Sequence, residues 1–209
     1  ISKEMQVSMK AGEIVGKIYD ALLKQYDDNS PEALRWLNIL CVRIVFCLYA
    51  EDSGVFRHDQ FHDYLNSYNA EDLSDALLKL FNVLNTPLEK RSKYMKDDLK
   101  AFPYTNGGLF EEEIEIPLFT EELKQILLQN ASLDFDWSEI SPTIFGAVFE
   151  STLNPETRRS GGMHYTSIEN IHKVIDPLFL NDLRSELDSI LEEKVEKTRM
   201  RRLDEYQNK

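Results

Sequence analysis

Between Ser30 and Gly54 the chain is apolar on nearly every helical face, and this run limits the possible fold more than any other. Ser30 is a favourable N-cap, Pro31 suits the first helical position, Glu32 follows in the first turn, and Gly54 can close the far end. The spacing predicts one helix from Pro31 to about Glu51. A helix without a polar face must be covered all round, which places it at the centre of its assembly. Its uninterrupted apolar part, Ile39 to Ala50, is shorter than the ~20 residues a membrane-spanning helix needs and contains Arg43. No membrane partner is expected.

The neighbouring segments supply covering faces. Ile14, Val15, Ile18, Tyr19, Leu22, Leu23 and Tyr26 recur at helical spacing and predict an amphipathic helix that Asp27-Asp28-Asn29 ends. Phe61, Tyr64 and Leu65 predict a short third helix, and Leu73, Leu77, Leu80, Phe81 and Leu84 a fourth, stopped near Pro87. From Lys90 to Phe119 the helical period fails, Phe102 to Phe110 reads as a turn flanked by aromatic residues, and a short hairpin is allowed around Ile114 and Ile116. Thr120 can cap a helix through Gln129, and Ser141-Pro142 opens another carrying Ile144, Phe145, Val148 and Phe149. Asn154 to Met163 reads as a loop. Ser167 can cap a helix from Ile168 that Pro177 kinks, with the stripe continuing through Leu180, Leu183, Leu187, Ile190 and Leu191, before a mostly charged tail. The fold class expected is mainly α, an irregular multi-helix bundle, with one small β-hairpin allowed near 102–118.

Composition narrows the function classes. With 209 residues, 42% hydrophobic and 29% charged, the chain has the makings of a folded soluble domain. Subtracting 24 Lys and Arg from 37 Asp and Glu leaves a net charge of −13, so the overall field repels nucleic acid, and any polyanion contact needs a local basic patch. Cys41 and Cys47 stand six apart in one predicted helix, ~9 Å along its axis and beyond disulfide reach. Free thiols suit a cytoplasmic location. The chain opens on Ile1 with no signal peptide, and it is read as a piece of a longer protein.

Five features invite a chemical reading. His58 and His62 have the i, i+4 spacing of zinc hydrolases, with Asp59 after the first, but two ligands without a third make a weak metal site, and ordinary surface histidines are the preferred reading. No metal is expected. Arg43 needs a partner inside its apolar helix, and a carboxylate is expected there. Glu51 and Asp52 oppose the macrodipole at the end of that helix and need partners of their own, with an ordinary structural pairing the preferred reading and a tether to a loop or a neighbouring domain the alternative. Asn154-Pro155-Glu156 begins like the Asn-Pro-Pro-aromatic signature of amino-methyltransferases but lacks the second proline and the aromatic, so no catalytic residue is assigned there. In Arg158 to Ser167, Gly161 and Gly162 permit close backbone approach, and a Ser167-capped helix start offers free N–H groups to an anion, against the plainer reading of a flexible loop before a capped helix.

Taken together, Arg43 to Gly54, the Phe102 to Phe110 turn, Trp137-Ser138-Glu139-Ile140-Ser141-Pro142 with Ile144-Phe145-Gly146, and Gly162 to Ser167 with Asn170-Ile171 resemble the MmeI-like restriction-modification enzymes. These are single chains with a nuclease, a helical spacer, an adenine-specific DNA methyltransferase and a target-recognition domain. The resemblance implies a helical spacer over 1–153, then a loop and helices over 154–209 that lead into the methyltransferase domain. It further implies that Gly162, His164, Tyr165, Thr166 and Ser167 line the methionine end of S-adenosylmethionine in the parent enzyme. The Gly-rich cofactor turn, the Asn-Pro-Pro-Tyr motif and a nuclease carboxylate-lysine set are missing from this sequence, so the piece alone is expected to be inactive and to bind no cofactor. DNA would be engaged through other domains, with the nuclease and methyltransferase domains as intramolecular partners. The rival reading, from the binding class, is an acidic helical adaptor for a protein partner.

Overall fold

The computed structural model describes residues 2–105 and 108–140. Among these the chain is helical throughout its regular elements and forms no strand. The helices predicted beyond residue 140, and the boundary at 153, lie outside the described residues.

Helix α1 (Lys3–Leu23) starts where the Ser2 side chain accepts the Met5 N–H, and it buries Ile14, Val15, Ile18, Tyr19 and Leu22 on one face. It begins well before the apolar stripe and stops short of Tyr26, whose hydroxyl instead donates to the Glu115 carbonyl at 2.7 Å. Helix α2 (Pro31–Ser53) has the predicted limits: Ser30 accepts the Ala33 N–H, Pro31 opens the first turn, and Gly54 closes the helix at φ 86°. A Cβ at Gly54 would meet nothing within 4 Å, so glycine is favoured there by the left-handed backbone alone.

By length and composition α2 is apolar enough to cross a membrane. Here it is a core helix. Every residue from Ile39 to Glu51 is buried, and α2 lies against α1, α3 (Gln60–Asn66) and a 3₁₀ turn at Trp137–Glu139. Ile18, Leu22, Leu37, Leu40, Ile44 and Phe46 meet in one continuous core that Phe56, Phe61, Phe102 and Trp137 complete.

After a 3₁₀ turn at Ala70–Asp72, helix α4 (Leu73–Leu84) turns Leu73, Leu77, Leu80 and Phe81 inward. A four-residue helix α5 (Asp97–Lys100) packs on α4. Helix α6 (Glu121–Gln125) is capped by Thr120 as predicted, but from Ile126 to Leu133 the chain widens into π-helical pitch. This stretch buries Ile126, Leu127, Leu128, Ala131 and Ser132 and packs against α1 and α3.

Candidate functional site

Two polar clusters are built on α2. The first surrounds Arg43, which is 2% exposed in the middle of the helix. Its Nε donates to the Leu109 carbonyl at 2.8 Å and its Nη2 to the Glu112 carbonyl at 2.7 Å. The guanidinium also stands 5.2 Å from the Phe81 ring centroid and 5.7 Å from that of Phe110. The expected carboxylate partner is therefore corrected to two main-chain carbonyls. The Glu112 carboxylate is held by Arg35, at 2.8 and 3.1 Å, and acts on Arg43 only as a nearby charge. Burial pushes Arg43 down to about 10, while Glu112 pulls it up, so it stays charged at neutral pH.

The same contacts explain why no hairpin forms at 102–118 in the described residues. The segment around Ile114 has its carbonyls engaged by side chains from earlier in the chain: Leu109 and Glu112 by Arg43 of α2, Glu115 by Tyr26 just after α1, Ile116 by Ser74 of α4. A ladder would need those acceptors, and their saturation leaves an irregular strap laid across α2 and α4. Between strap and α4 lies an open cleft of ≈ 460 Å³, lined by Arg43, Phe81, Asn82, Asn85, Phe110 and Glu112 among others.

The second cluster is at the C-terminal end of α2. Glu51, 1% exposed, accepts the His62 N–H on Oε2 at 2.9 Å and the Ser132 hydroxyl on Oε1 at 2.8 Å. Asp52 accepts the Trp137 N–H at 2.9 Å. The indole of Trp137 is itself fully buried, and its Nε1 donates to the Ala131 carbonyl at 2.7 Å. Two adjacent carboxylates thus bind α2 to α3, to the π-helical stretch and to the last described turn. Burial raises Glu51 above the ordinary carboxylate range, against the pull of the His62 N–H and the Ser132 hydroxyl. Asp52 is pushed up to about 6, chiefly by burial, with the Trp137 N–H opposing and Asp136 reinforcing. These are structural contacts within the described residues, made to two main-chain N–H groups and one hydroxyl.

His58 and His62 do not share a helix face. α3 begins at Gln60, and Asp59 takes a left-handed φ of 59°, so His58 lies in the turn before the helix. Each ring sits beside a different acid: His58 Nε2 is 3.4 Å from Asp59, and His62 Nδ1 is 3.4 Å from Asp63. No group of three His, Cys, Asp or Glu placed to hold a metal occurs among the described residues. Burial raises the Cys41 and Cys47 thiols far enough to keep them protonated and unreactive. Gly162, His164, Tyr165, Thr166 and Ser167 lie outside the described residues.

A polar-stapled core helix is thus fixed at its middle to a strap and at its end to three later elements of a helical domain. Residues 35–110 match the family model described as the MmeI helicase spacer domain. The chain is 38% identical over 185 residues to DNA methyltransferase A of Bacillus subtilis (strain 168), a stretch that is 87% of this chain and 20% of that protein. It also aligns with a solved structure of the Type IIL restriction-modification enzyme MmeI in complex with DNA, at TM-score 0.63 and 40% identity, over 87% of this chain and 24% of that one. The chain belongs to the MmeI-like family and corresponds to its spacer region, spanning about a fifth of the length of the curated relative.

Proposed function

We propose that the chain is the helical spacer of a cytoplasmic, site-specific adenine-N6 DNA methyltransferase or restriction-modification enzyme, holding its nuclease and methyltransferase modules at a fixed geometry on DNA. In this reading residues 1–153 are the spacer, and 154–209 lead into the methyltransferase domain. The observation that carries it is the double tether at the end of α2. Through Glu51 and Asp52, a helix buried from Ile39 to Glu51 grips α3, the π-helical stretch and Trp137, so the last described turn of the chain is joined to the central helix of the core. The relatives carry the assignment to DNA methylation, since one is a DNA methyltransferase and another a restriction-modification enzyme solved with DNA.

The second part of the proposal is that Gly162, His164, Tyr165, Thr166 and Ser167 form one lip of the S-adenosylmethionine pocket. Glycine at 162 permits close backbone approach, and a helix start at Ser167 would offer N–H donors to the carboxylate of the methionine end. The bound cofactor supplies the methyl group, and the acceptor adenine must leave the duplex stack to present its amino group. A few hydrogen bonds and a helix end contribute only ~1–3 kcal/mol before the entropy of capture, too little to hold the ligand without the rest of the pocket. Calorimetry is therefore expected to detect no S-adenosylmethionine binding to the 209-residue chain, whereas Tyr165→Ala and Thr166→Val in the full-length enzyme weaken cofactor binding with the fold retained. Unchanged affinity in both full-length variants, or tight binding by the chain alone, would remove the lip.

A further inference from the structure

The loop between α4 and α5 carries a run of basic residues, Lys90, Arg91, Lys93 and Lys96, with Lys100 following on α5, and no acid falls between residues 90 and 96. Glu89 precedes the run, and Asp97 and Asp98 follow it on α5.

The loop is firmly held. Arg91 turns inward and donates to four main-chain carbonyls, those of Val83 at 2.9 Å, Thr86 at 3.0 Å, Phe102 at 2.6 Å and Lys100 at 3.4 Å. Lys100 Nζ reaches across the loop to the Lys93 carbonyl at 3.0 Å. Met95 packs against the core and Leu99 is buried in it. Arg91, Met95 and Leu99 therefore anchor the inner side, and Lys90, Lys93 and Lys96 are left exposed on the outer side together with Tyr94, which is 84% exposed. The Lys93 ammonium stands 5.1 Å from the Tyr94 ring centroid. Among the described residues, none of these three lysines is within ion-pair distance of an acid.

We propose that Lys90, Lys93 and Lys96, displayed beside Tyr94 on the loop clamped by Arg91, form a contact for the sugar–phosphate backbone of duplex DNA. A loop already held by Arg91 loses little backbone freedom when phosphates dock on its ammonium groups, and the exposed tyrosine adds a hydroxyl donor. The net charge of −13 sets an overall field that repels a polyanion, so contact needs a local basic patch such as this loop, which fixes position without reading sequence. The choice of DNA as the polyanion rests on the methyltransferase reading above.

The test is an NMR titration of the 209-residue chain with a short DNA duplex, which detects weak binding directly. Amide shifts are expected across residues 90–96, and raising the salt from about 20 to about 200 mM should lower the affinity about 500-fold, the fall for three phosphate contacts at a slope of about −0.9 each. The triple variant Lys90→Gln, Lys93→Gln, Lys96→Gln should lose these shifts while the rest of its spectrum stays as in the parent. Silence at residues 90–96, or shifts that survive the triple variant, would overturn the contact. Equal response to a poly-glutamate peptide of matched charge would overturn DNA as its partner and indicate an acidic protein surface. Either failure leaves the spacer reading standing, because that reading is judged on cofactor binding and module geometry in the full-length enzyme.

Discussion

Arg43 shows how one polar side chain organises a core. A guanidinium inside an apolar helix needs acceptors, and it presents its donors in a rigid fork. Two carbonyls of the strap meet that fork while two phenylalanine rings cover its faces. Arg43→Met would fill similar volume but leave the Leu109 carbonyl buried without a donor, so it should destabilise the fold by about 2–3 kcal/mol in urea unfolding. Arg43→Lys should recover only part of that loss, since one ammonium replaces a planar fork. A methionine variant within about 0.5 kcal/mol of the parent would contradict the assigned role. The sequence makes the need for a partner plain. It does not reveal which kind, because the acceptors are main-chain atoms 66 and 69 residues further along, and a carbonyl leaves no mark on residue type.

At the scale of elements, legibility follows locality. The limits of α2 are written in Ser30, Pro31 and Gly54, all next to the turns they make, and the α4 stripe is equally local. The strap is held by partners distant in sequence and the widened pitch at Ile126 leaves no mark on spacing, so the chain predicts an ordinary α-helix in place of the second and leaves only a turn, with a hairpin allowed, in place of the first. His58 misleads for a similar reason, since the left-handed turn at Asp59 breaks the spacing that would pair it with His62. The carboxylates at the end of α2 give the junction a pH signature. Both titrate above their ordinary values, so between about pH 4 and about 6 the folded chain binds more protons than the unfolded one, and stability falls as the pH rises through that window. Asp28, lowered by the Ser30 hydroxyl and amide, acts in the opposite sense and only below its ordinary value of 3.8. Urea midpoints should therefore be higher near pH 5 than near pH 7, and Asp52→Asn, whose amide oxygen can still accept the Trp137 N–H, should shrink that difference. An unchanged difference in the variant would show that Asp52 is not its source.

At the scale of the whole molecule, an acidic helical chain matches a fifth to a quarter of enzymes several times its length. The spacer identity is legible in motifs scattered from Arg43 to Ile171, while the proposed cofactor lip, from Gly162 to Ser167, rests on sequence and family alone. The central claim is that this domain is a rigid distance-setter gripped at the end of α2. Pulsed electron resonance on the full-length enzyme tests it, with one label at Lys79→Cys on the exposed side of α4 and one in the methyltransferase module. Cys41 and Cys47 do not compete for label, being buried and protonated. The account predicts a single narrow distance in the parent and a broadened one when Glu51→Ala and Asp52→Ala are combined. A broad distribution in the parent, or a narrow one that the double variant leaves unchanged, would contradict it.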